Sequence, residues 1–132
     1  VLIPPAVLAE LRHPHAPAEV SEWLENLPHW ASIQAPVAVE TGMGLDAGES
    51  EAISLALEMS LPAILIDERD GWIEAQRRGL TPIGTLNVLY TAHGLGLLDF
   101  ENAIGRLRRT NFHVNSALVE SLIEKVRTRK RE

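Results

Sequence analysis

The chain of 132 residues contains no cysteine. That excludes disulfides and thiolate metal sites, and it fits a reducing, cytoplasmic setting. Aromatic residues are scarce, at 5%, whereas 45% of the residues are hydrophobic, so the expected core is aliphatic. No apolar run approaches the roughly 18 residues needed to span a bilayer, and no signal peptide opens the chain. A cytoplasmic protein without a membrane partner is the expectation. Positive charge is also in deficit: the formal net charge is −6, which excludes a generic polyanion binder. The deficit is uneven. From Glu40 to Glu74 the only basic residue is Arg69, whereas from Arg77 onward bases outnumber acids. An acidic pocket with basic flanks suits a metal-using enzyme that acts on a phosphate polymer.

Most of the chemistry lies in Leu45 to Gly71, LDAGESEAISLALEMSLPAILIDERDG. Asp46 and Gly48 start a helix, with Glu49 and Glu51 in its first turn, where acids suit the positive end of the dipole. Ala52, Ile53, Ala56 and Leu57 follow at helical spacing, and Pro62 ends the helix. Ala63 to Ile66 is a short unbroken apolar run, the pattern of a strand buried on both faces. Asp67, Glu68 and Asp70 follow it. In open parallel sheets ligands bind beyond the carboxyl ends of strands, so acids occupy two places that such a fold brings together.

Around this stretch, Val1 to Ile3 reads as a strand end, and Pro4-Pro5 opens a short helix carrying Val7, Glu10 and Leu11. His13 to Pro17 is a loop. A second helix runs to about Leu27 on Val20, Trp23, Leu24 and Leu27. Ile33 to Val39 reads as a strand and Thr41 to Gly44 as a loop. A helix is expected after Gly71, ending at Gly79, then a strand at Thr81 to Ile83. Three helices follow: one from Gly84-Thr85 to Gly94, one started by Asp99, and one capped by Asn115 or Ser116. The last has the stripe Leu118, Leu122 and Val126, widened by Val119 and Ile123. Strands alternating with helices through residues 33 to 85 give a parallel α/β sheet in a single domain over 1–132.

Glu10, Glu49, Glu51, Asp67 and Asp70 are the candidate site residues. Glu49 precedes Ala52, Ile53 and Ala56 by three, four and seven residues, which places it on the inward side of its helix. A carboxylate turned toward a core is costly, and several together raise one another's pKa. A divalent cation relieves both, and carboxylate oxygens form the kind of site that Mg²⁺ or Mn²⁺ prefers. The alternative is that Glu49 and Asp67 only cap helices. Arg69 reads as a phosphate contact or, preferably, as an internal counter-ion for the acids.

Gly42-Met43-Gly44 and Gly48 offer a second possibility, a nucleotide-binding loop with Asp67 as the ribose acid. Against it, Asp46, Glu49 and Glu51 crowd the helix end where a pyrophosphate would bind. The five histidines are dispersed and read as surface polar residues. The tail Lys125, Arg127, Arg129, Lys130 and Arg131 reads as a solvated helix end or an RNA contact.

Four segments in this order, IPPAVLAEL at Ile3–Leu11, LDAGESEAISLALE at Leu45–Glu58, AILIDERDG at Ala63–Gly71 and GLTPIGTLNVL at Gly79–Leu89, resemble the PIN-domain family, in particular its small prokaryotic toxin ribonucleases. The resemblance covers most of residues 1–90. It implies a PIN-like three-layer α/β sandwich, with a parallel β-sheet flanked by helices and acids gathered around Mg²⁺ or Mn²⁺ to hydrolyse single-stranded RNA. Glu10, Glu49 and Asp67 are then the catalytic acids and metal ligands, with Glu51 and Asp70 as further metal ligands. An antitoxin protein and a homodimer are the implied partners. The family opens with a strand ending in an aspartate, which is absent from this chain. The expectation is therefore an N-terminally incomplete PIN-like domain. Catalytically inactive, it would be a scaffold that binds protein or RNA.

Overall fold

The structure is a computed structural model that describes residues 1–131, the side chain of Arg131 excepted. Its seven helices and four short strands, counted among the described residues, fall into two compact units, Val1–Ile83 and Gly84 onward.

The first unit begins with β1 (Leu2–Ile3) and α1 (Pro5–Leu11). Pro4 stands at the cap in an extended conformation and Pro5 at the first helical position, where a missing N–H is harmless. After the loop at 12–17 come α2 (Ala18–Glu25) and β2 (Ser32–Ile33), which pairs parallel to β1 with Leu2 opposite Ser32. The strand expected over Ile33 to Val39 stops after one residue of that span. Pro36 has no N–H to continue a ladder, and the segment instead straps onto α3 (Ala47–Glu58). There Val37 N–H donates to both carboxylate oxygens of Glu58, at 2.8 and 2.9 Å, and Glu40 N–H donates to Ser54 Oγ at 3.0 Å.

Helix α3 ends at Glu58 with Met59 as its cap residue, and Ser60 turns left-handed at φ 53°, letting Leu61 N–H reach Ala56 O at 2.9 Å. β3 (Ala63–Leu65), α4 (Arg69–Arg77) and β4 (Thr81–Ile83) then form a parallel strand–helix–strand unit, with Ile64 opposite Pro82. Gly79, at φ 82°, supplies the left-handed turn after α4, a conformation glycine adopts without penalty. Ile53, Ala56, Ile64, Ile66, Ala75 and Leu80 form the core of this unit.

Two expectations change here. β3 is not buried on both faces: Ile64 is buried but Leu65 is 61% exposed. Its one strand partner is β4, and the strands lie in two separate two-stranded parallel sheets among the described residues. In addition, α4 starts before Gly71 rather than after it, with Glu68 as its cap residue.

The second unit is helical. α5 (Thr85–Gly94), α6 (Phe100–Leu107) and α7 (Ser116–Arg131) enclose a core of Leu86, Phe100, Ile104, Val119, Leu122 and Val126. Asp99 caps α6 by accepting the Asn102 N–H at 2.9 Å, and Asn115 caps α7 by accepting from Leu118 at 3.1 Å. Tyr90 meets Phe100 edge-on, with centroids 6.0 Å apart. The apolar stripe of α7 runs through Val119, Leu122 and Val126, which are buried, whereas Leu118 is 41% exposed. Leu118, four residues before Leu122, stands at the edge of that face.

Candidate functional site

The site is built in the first unit from the end of α1, the first turn of α3 and the first turn of α4. Each of these helix starts is set by sequence. Asp46 caps α3, its Oδ1 accepting the Glu49 N–H at 2.8 Å. This is the acceptor half of a capping box, with Glu49 in the third helical position. Glu51, two residues further along α3, accepts the Ala6 N–H through Oε1 at 3.2 Å. Pro4 offers α1 no side-chain cap, so the neighbouring helix supplies the acceptor.

Two glycines let the acids approach. A Cβ at Gly48 would stand 2.5 Å from Glu10 Oε1, and a Cβ at Gly71 would stand 2.6 Å from Glu49 Oε2 and clash with Ile66 Cδ1 as well. A side chain at Gly48 would push the flexible Glu10 carboxyl aside, and one at Gly71 would have to displace both Ile66 and Glu49. The carboxyl head of Glu10 therefore rests on the start of α3, although the residue is otherwise exposed. The head of Glu49 lies against the start of α4. Glycine in a helix is disfavoured by roughly 0.5–1 kcal/mol relative to alanine, and here that cost goes with the close approach of a carboxyl group.

The electrostatics follow from this crowding. Burial pushes the Glu10 carboxyl above its usual range, and the charge of Asp46 adds to the effect. Glu49 is pushed up to about 7. Its burial is the largest cause, followed by the charge of Asp46, the hydrogen bond between their side chains, and then the charges of Glu68 and Glu10. All of these raise it. Arg69 is exposed and does not figure among the influences on Glu49.

Among the sequence candidates, Glu10 and Glu49 come together and Glu51 lies beside them, tied to α1. Asp67 follows Ile66 at the end of the β3 segment, and Asp70 is exposed in the first turn of α4. Asp46 and Glu68 are electrostatic members of the site that the sequence marks only as a helix start and a strand-end acid. The two glycines are likewise more than helix signals. A glycine in the first turn of a helix, beside an acid that has to pack, is the clue to both that the sequence offers. The glycine loop before α3 has Gly42 and Gly44 at positive φ, but the helix it leads into opens on Asp46 and Glu49, the wrong charge for a pyrophosphate.

The family model described as PIN domain matches residues 1–128 of the chain. The chain belongs to the PIN-domain family. That match extends from the acidic unit through the helical one, beyond the segments that carry the sequence resemblance, and assigns the chain a nuclease-type fold. The mixed architecture with parallel strand pairs is compatible with a PIN-like α/β fold. No curated protein and no solved structure matches the chain. Among the described residues, no helix of this PIN domain is long and apolar enough to cross a membrane.

As for a metal, the donor set consists of carboxylate oxygens, which suits a hard divalent cation. The raised pKa of Glu49 marks a place short of positive charge. Among the described residues no three His, Asp or Glu side chains stand as a ready-made cage. The fit therefore rests on donor chemistry and on the convergence of Glu10 with Glu49.

Proposed function

We propose that this PIN-domain protein is a metal-dependent endoribonuclease that hydrolyses phosphodiester bonds of single-stranded RNA, of the kind that serves as toxin in a toxin–antitoxin pair. The observation that carries the reading is the Glu49 carboxyl, pushed up to about 7 amid Asp46, Glu68 and Glu10. A carboxyl raised by burial and by neighbouring acids is a feature that clusters at functional sites.

Glu10, Glu49 and Asp67 would hold Mg²⁺ or Mn²⁺, with Asp70 and Glu51 as further oxygen donors. Bound there, the cation supplies positive charge for the phosphate and makes water a stronger acid. Glu51 contributes less freely, because its Oε1 already accepts from Ala6. Without the cation Glu49 titrates near neutrality, so a proton and the cation would compete for its carboxylate oxygens around pH 7. Gly48 and Gly71 leave the space into which the Glu10 and Glu49 heads settle. In the reaction a water oxygen bonds to phosphorus as the phosphorus–ribose oxygen bond breaks, and the leaving oxygen receives a proton. An antitoxin, a second copy of the chain and a cytoplasmic setting belong to the same proposal.

The test is Mn²⁺-dependent cleavage of single-stranded RNA by Glu49→Gln and Asp67→Asn. Each variant is expected to lose cleavage while keeping its circular dichroism spectrum. Unchanged cleavage in both refutes the assignment. A second reading, a PIN scaffold that binds a partner without catalysis, is favoured by the absence of a three-ligand cage among the described residues. Calorimetry that detects no Mg²⁺ or Mn²⁺ uptake would select it.

A further inference from the structure

The charge of the chain divides with its two units. Residues 1–83 carry 13 acidic and 4 basic residues, and residues 84–132 carry 5 acidic and 8 basic residues. The second unit is therefore the one whose own side chains carry an excess of positive charge toward a polyanion. Within it the cations are not equivalent. In the α7 tail two of them, Arg127 and Arg129, are held within the unit. Arg127 Nε and Nη2 donate to the two carboxylate oxygens of Glu101 at 2.8 and 3.1 Å. Lys130 lies 3.9 Å from Asp99, and the Arg129 guanidinium sits 5.5 Å from the centre of the Tyr90 ring. At the end of α6 the balance is different. Arg106 and Arg109 are exposed and among the described residues form no ion pair, while Arg108 lies 3.9 Å from Glu120, a loose pair like that of Lys130.

The segment that follows adds a second observation. Thr110 Oγ1 donates to Leu107 O at 2.6 Å and accepts the Phe112 N–H at 3.1 Å. This tight turn places a partly exposed aromatic ring and then exposed His113 within a few residues of three arginines. Exposed arginines within a few residues of an aromatic side chain offer what single-stranded nucleic acid needs: cations for the backbone and a platform for a base.

We infer that Arg106, Arg108, Arg109 and Phe112, at the junction after α6, form a binding surface for single-stranded RNA, with the arginines on phosphates and the Phe112 ring under a base. The basic tail of α7, the more conspicuous run in the sequence, is chiefly a brace within its own unit. This rests on the ribonuclease reading for the choice of RNA, but it concerns binding and can fail separately.

The experiment is fluorescence anisotropy of a labelled oligouridine against salt, in EDTA so that no cleavage intervenes. Arg106→Gln/Arg109→Gln is compared with Arg127→Gln/Lys130→Gln, which removes the same formal charge. Two lost phosphate contacts should flatten the log–log salt slope by about 1.4 and weaken binding roughly tenfold or more near 0.1 M salt. The α7 pair should leave the slope within error of the parent. Phe112→Leu, which keeps apolar volume and removes the ring, should weaken binding severalfold at unchanged slope. Equal effects of the two double variants would mean that only net charge matters, and would overturn the assignment. So would binding by the α6 pair variant that matches the parent. Either result leaves the nuclease reading to be decided by Mn²⁺-dependent cleavage in the Glu49 and Asp67 variants.

Discussion

Glu49 shows how a single residue reports on its neighbourhood. Its ordinary pKa is 4.5 and in the folded chain it is about 7. The folded state therefore binds more protons than the unfolded state between those values, and stability must fall as pH rises through that window. The contribution is fully present below about pH 4.5 and lost above about pH 7. The upward shift of Glu10 acts with the same sign. In EDTA, the urea midpoint of the parent should drop from pH 5 to pH 8, and Glu49→Gln, always uncharged, should lose most of that drop. A drop as large in Glu49→Gln as in the parent would show that Glu49 does not titrate as described. Part of this is legible in sequence, because the 3, 4, 7 spacing from Glu49 to Ala52, Ile53 and Ala56 turns it inward. The identity of its neighbours is not. Asp46 reads first as a cap, and in the run Asp67-Glu68-Arg69-Asp70 nothing local singles out Glu68 as the acid that acts on Glu49.

Among the elements, helix starts are easier to read than strands. Pro4-Pro5, Asp46, Asp99 and Asn115 mark helix starts by local stereochemistry, and all four do so here. Strand extent depends on partners remote in sequence. Each parallel pair joins strands of only two or three residues, so the apolar run at Ala63–Ile66 overstates both the length and the burial of β3. The most informative contact between elements is also non-local. Ala6 N–H, in the first turn of α1, is accepted by Glu51 of α3. An unmet helix-end donor costs about 0.5–2 kcal/mol when its cap is removed. Glu51→Ala should therefore lower stability by about 1 kcal/mol, whereas Glu51→Gln, which keeps the Oε1 acceptor, should lose markedly less. Chemical denaturation of the two variants measures the difference. An equal loss in both would assign Glu51 a role through its charge, as a metal ligand or otherwise, rather than as the cap of α1.

The whole molecule joins a polyanion-averse first unit, 13 acids against 4 bases, to a second in which bases prevail. Self-repulsion among the acids should be relieved by any salt, so stabilisation by Mg²⁺ is not by itself evidence of a site. Screening and binding separate when ionic strength is held constant. A specific ion stabilises the folded chain by about 2.7 kcal/mol at a hundredfold excess over its dissociation constant, whereas screening depends on ionic strength alone. At pH 8, where Glu10 and Glu49 are more fully ionised, millimolar Mg²⁺ or Mn²⁺ should raise the melting temperature above that in NaCl of equal ionic strength. Near pH 5 the excess should shrink, because a proton then competes for Glu49. Glu10→Gln/Glu49→Gln should melt identically in the two salts at both pH values. A parent that does the same would leave the acidic cluster without a cation of its own, and the scaffold reading would replace the nuclease.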